Sequence, residues 1–159
     1  MGAALALGGY SFLSALIPLF NLEAAIFAVS DKVSSAQFPL LAFVAGGGQM
    51  LGKLVWYYLG ANALRWGWVR KKVETPKAQA KLAHWRQRAH DRPMFMAGLV
   101  AVSGFSGFPP FAIIAVLAGQ LRMQLWIFIV VTLVSRSLRF GVFFYAGKEA
   151  FDQLPSLGF

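Results

Sequence analysis

The sequence contains no cysteine, which excludes disulfides, thiolate catalysis and cysteine-ligated metal sites. Charged residues are also scarce, at 13% of 159 residues, against about 25% in an average soluble domain. The only two histidines, His84 and His90, lie in one basic stretch and cannot build a buried metal site alone. No basic residue precedes the first apolar run, so we expect no cleaved signal peptide. We expect no metal, no cofactor and no enzymatic activity, because no serine–histidine–aspartate arrangement or metal-ligand spacing is present.

Apolar residues dominate what remains, at 58% of the chain, with a mean hydropathy of +0.60. The net charge of +9 could indicate a nucleic-acid partner, but it is strongly localised. Residues 65–92 hold nine of the fifteen basic residues against only Glu74 and Asp91, so the rest of the chain is nearly neutral. The composition therefore argues against a soluble nucleic-acid binder and predicts a membrane protein that crosses the bilayer more than once.

Four apolar blocks follow one another along the chain. The second and fourth are uninterrupted and exceed the roughly 20 helical residues that span a hydrocarbon core of about 30 Å. The first breaks at Pro18 and again at residues 21–23, and the third breaks at the Gly/Pro-rich residues 104–110. The blocks are Ala3–Val29, Phe38–Leu64, Met94–Gly119 and Leu121–Gly147.

Short apolar arms around a polar or Gly/Pro apex are typical of re-entrant segments. We therefore predict an all-α membrane protein built as an inverted repeat, in which two re-entrant helical hairpins are each followed by a transmembrane helix. In this interpretation one membrane domain contains a first half at 1–64, a basic loop at 65–92 and a second half at 93–159. The alternative is four or five ordinary kinked helices, and the positions of both termini stay open.

The positive-inside rule places the basic loop in the cytoplasm. Thr75-Pro76 resembles a helix start, with proline at the first helical position. The loop is thus either a short helix lying on an anionic leaflet or a solvated segment. Within this loop, Arg70, Lys71 and Lys72 are expected to contact lipid headgroups.

Three basic residues fall deep inside the apolar blocks. Lys53 lies about 15 residues beyond the start of the second block, and Arg136 lies near the middle of the fourth. Arg139 shares a helix face with Arg136. A cation at the bilayer centre costs at least about 2.5–3.5 kcal/mol, so these side chains should not face lipid. Glu23 is the only acidic residue among the first 30 and is the expected counter-charge.

A cluster of Glu23, Lys53, Arg136 and Arg139 would carry a formal charge of +2. A structural ion-pair network should be nearly neutral, whereas excess positive charge favours a site for an anionic ligand, phosphate above all. In that site the three basic residues would bind the anion, and Glu23 would gate access or exchange protons. The alternative is a structural network in which one arginine reaches an interface.

Other polar or small residues extend this prediction. Asn21, Gln49, Pro109 and Pro110 are expected to line the cavity, although Gln49 could equally be a polar contact between helices. Gly48 and Gly52 are spaced for close helix packing and for a possible homo-oligomer contact. The run Gly47–Lys53 matches part of a phosphate-binding loop, but Leu54 replaces the required hydroxyl residue.

Three segments resemble the DedA/VTT superfamily of SNARE-associated membrane proteins, in its small bacterial branch. The first is Ile17–Glu23, similar to an acidic first hairpin, and the second is Gly48–Gly60, similar to a small-residue helix ending in Tyr-x-x-Gly. The third consists of Gly107–Gly119, Leu121–Met123 and Ser135–Phe140, the last of which has the Ser-Arg-x-x-Arg-Phe pattern. Together they cover nearly the whole chain. The resemblance implies two oppositely oriented re-entrant hairpins and assigns Glu23 to the family's acidic position.

The family is linked to lipid scrambling, undecaprenyl phosphate recycling and proton-dependent membrane homeostasis. Many bacterial members carry two arginines in the second hairpin, whereas this chain has apolar residues around Phe105 and Phe111. A second upstream acid is also missing, so lipid handling is favoured over proton coupling.

The resulting hypothesis is a translocase for an anionic lipid in the bacterial cytoplasmic membrane, with undecaprenyl phosphate or a phospholipid as substrate. The alternatives are a proton-coupled ion transporter and a non-transporting membrane scaffold. Substrate, direction, energy coupling and oligomeric state are not fixed by the sequence.

Overall fold

A computed structural model describes residues 2–17, 21–65, 67, 71, 75–108 and 110–153. Seven α-helices with defined bounds and three short 3-10 turns lie within these residues, which contain no β-strand; Gly67 and Lys71 are helical as well. The helices are α1 (Gly2–Leu16), α2 (Leu22–Val29), α3 (Phe38–Asn62), α4 (Pro76–Asp91), α5 (Pro93–Ser106), α6 (Phe111–Gln120) and α7 (Leu125–Gln153), and the turns are Ser30–Lys32, Ser35–Gln37 and Ala63–Arg65.

The first apolar block is interrupted as predicted. Helix α1 ends at Leu16, and α2 begins at Leu22 with Asn21 as its N-cap. The Asn21 side-chain oxygen accepts a hydrogen bond from the Ala24 amide at 3.1 Å, which satisfies one of the free donors of the new helix. The predicted break at Pro18 lies outside the described residues. Helices α1 and α2 contact each other and form the first helix pair.

The third block is interrupted by glycine and proline. Gly107 caps α5 with a φ of 80°, a left-handed conformation that glycine adopts without a steric penalty. Pro110 then precedes α6, and its carbonyl accepts hydrogen bonds from Ile113 and Ile114. Helices α5 and α6 contact each other and form the second helix pair.

The two uninterrupted blocks form the two helices long and apolar enough to cross a membrane, within the described chain. Helix α3 follows its predicted block closely, but α7 begins four residues later than predicted. The physical reason is a Schellman cap: Met123 and Arg122 donate to the carbonyls of Ala118 and Gly119, both at 3.0 Å. Arg122 adopts a φ of 52° there, in the position usually held by glycine. The order of two short helices and one long helix thus occurs twice, while the re-entrant inverted repeat stays a prediction.

The chain packs as two compact units, each with its own core. The first contains described residues of Met1–Gly52 and Leu133–Phe159. Its core brings the first helix pair against parts of α3 and α7, with Phe38 and Phe144 stacked at a centroid distance of 5.2 Å. A Cβ at Gly46 would lie 3.0 Å from the Ser137 backbone nitrogen, so α3 and α7 are in close contact here. The buried core residues are Leu22, Ile26, Phe38, Leu41, Ala42, Ala45, Phe140 and Phe144.

The second unit, Lys53–Thr132, contains the second helix pair and α4. The basic segment does form the helix predicted from Thr75-Pro76, and Arg86 joins it to the unit by donating to the Gln120 carbonyl at 3.0 Å. Tyr57 donates a hydrogen bond to the Met123 carbonyl at 2.5 Å. The core residues are Tyr57, Met96, Val100, Phe111, Ile114, Ala115, Ala118, Met123 and Phe128.

Candidate anion site

An ion pair joins the first turn of α2 to the middle of α7. Arg139 donates to one carboxylate oxygen of Glu23 through Nη2 at 2.5 Å and through Nε at 2.7 Å. The side chains are 14% and 31% exposed, so the pair is largely removed from the surface. The Arg139 guanidinium also lies 5.4 Å from the centroid of the Phe143 ring, within the range of a cation–π contact. The predicted counter-charge of the deep arginines is therefore in contact with one of them.

A second guanidinium lies one helical turn before this pair. Arg136 is 8% exposed, and both Arg139 and Glu23 are near enough to act on its charge electrostatically. Ser135, beside it in the chain, is buried as well. The three ionisable groups carry a formal charge of +1, since Glu23 compensates only one arginine. The first unit therefore brings together three of the four residues predicted for the cluster.

Lys53, the fourth residue, belongs to the second unit. Its residue exposure is 7%, so this cation is buried within the protein, as the high cost of exposing it to lipid requires. Its convergence with the arginines stays a prediction.

Gln49 joins α3 to α1 within the first unit. Its amide nitrogen donates to the Ser14 hydroxyl at 2.6 Å and to the Ser11 carbonyl at 3.3 Å. Ser11 in turn donates to the Ala45 carbonyl at 2.5 Å. These are hydrogen bonds between helices. Of the two roles considered for Gln49, they correspond to a polar contact between helices rather than to cavity lining. Ser11 and Ser14 were not predicted to take part, although two serines three apart in an apolar helix are a usable signal.

Gly48 and Gly52 contact α1 of the same chain. A Cβ at Gly48 would lie 2.9 Å from the Ser11 Cβ, and one at Gly52 would lie 2.9 Å from the Phe12 carbonyl oxygen. The small residues thus allow close packing inside the first unit. The homo-oligomer contact expected at these glycines stays a prediction, and it would have to compete with α1.

The structure describes three of the remaining predicted site residues. Asn21 caps α2, and Pro110 is exposed at the start of α6, so their cavity-lining roles stay predictions. Lys71 is helical and exposed, as a headgroup contact would require. Pro109, Arg70 and Lys72 lie outside the described residues.

Two long apolar helices, two pairs of short apolar helices and buried cations define an all-helical membrane protein. The family model of the VTT domain matches residues 22–149. The chain therefore belongs to the VTT domain family, the DedA or SNARE-associated family, as the motifs predicted. The match begins at α2 and includes Glu23, Arg136, Arg139, all of α3 and α7 as far as Glu149. No curated protein and no solved structure matches the chain significantly.

Proposed function

We propose that the protein translocates an anionic lipid across the membrane, with undecaprenyl phosphate or a phospholipid as substrate. The observation that carries this proposal is the buried charge of the first unit. The Glu23 carboxylate pairs with Arg139 and acts electrostatically on Arg136, which is the more deeply buried of the two arginines. A site of this composition is suited to a phosphate group.

The excess of positive charge is the central physical argument. A carboxylate and a single arginine would form a neutral pair, which is the least costly way to place charges in a membrane domain. Adding Arg136 raises the electrostatic cost of the empty site, because like charges repel and desolvation penalises both. A phosphate would offset this cost, and arginine presents several donors in the geometry that a phosphate accepts. Lys53 would supplement the two arginines.

The membrane arrangement completes the proposal. The two helix pairs would be re-entrant hairpins related by an inverted repeat, and they would open a polar path near the midplane. The multi-pass protein would lie in the bacterial cytoplasmic membrane. Its basic segment would face the cytoplasm, where Arg70, Lys71 and Lys72 would attract anionic headgroups. The function would be transport without chemical conversion.

The test is flipping of a labelled polyprenyl phosphate in liposomes that contain the purified protein. We expect Arg136→Gln to slow flipping about tenfold or more, since a hydrogen bond to a charged group is worth about 1.5–3 kcal/mol. Arg139→Lys should slow it less, because the charge is kept while the two-nitrogen contact is lost. Lys148→Ala is the matched control: this lysine lies on the same helix but pairs with Asp152. Undiminished flipping by Arg136→Gln protein would contradict the proposed site.

A proton-coupled ion transporter is the second candidate, and the partial exposure of Glu23 favours it. A carboxylate that is 31% exposed and bound to Arg139 could exchange protons with water on one side. Ion flux should then follow an imposed pH gradient and disappear in Glu23→Gln protein. Flux that is independent of the gradient would exclude this candidate. If no variant changes any transport signal and only stability falls, the scaffold hypothesis is favoured.

A further inference from the structure

The first unit contains an apolar groove that the anion site does not use. It has a volume of about 470 Å³ and lies between α1, α2, the turn after α2, α3 and α7. The volume is within the range of about 300–1,000 Å³ that is typical of small-molecule sites. The lining residues are Ala6, Leu7, Tyr10, Ala25, Val29, Lys32, Val33, Leu41 and Phe144.

Among the described residues that line the groove, Lys32 is the only charged one. It is exposed and forms no ion pair within the described part of the chain. The turn that carries it is held in place, because Ser30 donates to the Phe27 carbonyl at 2.7 Å and is buried. Ser30 also packs against α7, where a Cβ at Gly147 would lie 2.5 Å from its hydroxyl oxygen. The groove is therefore lined by apolar residues and by one exposed cation, Lys32, whose backbone turn is held against α7.

We propose that this groove binds one hydrocarbon chain of an anionic membrane lipid, whose phosphate contacts Lys32. The apolar groove is complementary to a hydrocarbon chain, and the Lys32 ammonium group is complementary to the negatively charged headgroup. Such a lipid would remain bound as a structural component of the first helix pair. The proposal does not depend on translocation, because none of the lining residues belongs to the anion site.

Two physical arguments select this occupant. A peptide segment would bring backbone N–H and C=O groups, and burying them against apolar walls costs free energy unless they are hydrogen-bonded. A hydrocarbon chain has no such groups. Inside a membrane, however, an apolar groove alone gives a chain little preference over the surrounding lipid tails. The preference must then come from the charge of Lys32, which selects an anionic over a zwitterionic lipid.

The first experiment measures lipid retention by native mass spectrometry. Protein purified in detergent is incubated with equimolar phosphatidylglycerol and phosphatidylcholine that carry the same acyl chains. We expect the wild type to retain phosphatidylglycerol preferentially, and Lys32→Ala to lower that preference about fivefold, since a basic residue near an anionic surface contributes about 1 kcal/mol. Lys148→Ala is the control, because it removes a cation of the same unit that already pairs with Asp152. Equal retention of both lipids, or an equal effect of both substitutions, would overturn the proposal.

The second experiment places the lipid in the groove. The chain has no cysteine, so Ala25→Cys and Ala28→Cys each create a single thiol. Ala25 lines the groove, whereas Ala28 lies on the same helix and is exposed outside it. Added phosphatidylglycerol should slow maleimide labelling at position 25 several-fold and leave position 28 unchanged. Equal protection of both thiols would indicate nonspecific surrounding lipid and would refute the site. Arg136→Gln protein should show the same protection, which separates this result from the translocation test.

Discussion

Replacing Gly119 with alanine should disrupt a close contact between two helices of the second unit. Helices α3 and α6 approach each other through Gly60 and Gly119. A Cβ at position 119 would lie 2.8 Å from the Ala61 backbone nitrogen and closer still to the Tyr57 carbonyl oxygen. Backbone atoms of a helix cannot rotate away as a flexible side chain can, so the two helices must separate.

The expected magnitude follows from two opposing effects. Alanine is favoured over glycine in a helix by up to about 1 kcal/mol. Overpacking a well-packed contact costs about 1–3 kcal/mol, and a clash with backbone belongs at the upper end. We therefore expect a net loss of about 2 kcal/mol, or about 4–8 °C in melting temperature for a protein of this size. The reciprocal variant Gly60→Ala should behave alike, because its Cβ would lie 2.8 Å from the Val116 carbonyl carbon.

The assay is thermal unfolding in detergent, followed by tryptophan fluorescence. Trp56 packs against the core of the second unit and reports on it. Gly47→Ala is the control on α3, since a Cβ there would meet nothing within 4 Å, and its melting temperature should stay the same or rise. The double variant of Gly60 and Gly119 should lose less melting temperature than the sum of the two single variants, because both substitutions open the same contact. Equal melting temperatures for Gly119→Ala and Gly47→Ala would refute the reasoning.

Two further predictions concern the connection between α6 and α7. Tyr57→Phe should lower the free energy of unfolding by about 1 kcal/mol in the same assay, because the Met123 carbonyl loses its hydrogen-bond donor; an unchanged value would mean that water replaces it. Arg122→Gly should raise the free energy of unfolding by about 1 kcal/mol, because glycine adopts the positive φ of the Schellman cap without strain. A loss of stability in Arg122→Gly protein would show that the arginine side chain makes a stabilising contact that outweighs its backbone strain.

Much of the helical order could be predicted from apolar block length and from breakers. Asn21 and the Gly/Pro-rich residues 104–110 separate short helices because they cap or interrupt hydrogen bonding. The start of α7 was placed too early because Leu121 and Met123 are apolar and resemble membrane helix. The cap at Arg122 depends on a left-handed arginine, which composition does not reveal.

The parts of the candidate site that could be predicted from the sequence are its charged residues, because charged residues are rare in the apolar blocks. Glu23 was identified as the partner of a deep arginine because no other acid is found among the first 30 residues. The groove beside Lys32 could not be found in this way, because it is formed by apolar residues from separate helices whose packing the sequence does not specify. Gln49 shows the same limit, since its partners Ser11 and Ser14 depend on how α1 meets α3.

In the proposed site, Arg136 and Arg139 carry more positive charge than Glu23 balances, and a bound phosphate would offset the excess. The most direct measurement compares binding of a polyprenyl phosphate and the corresponding uncharged polyprenol to the purified protein. We expect the phosphate to bind at least tenfold more tightly, and Arg136→Gln to remove most of that difference. Equal affinity of the wild type for both lipids would contradict the account.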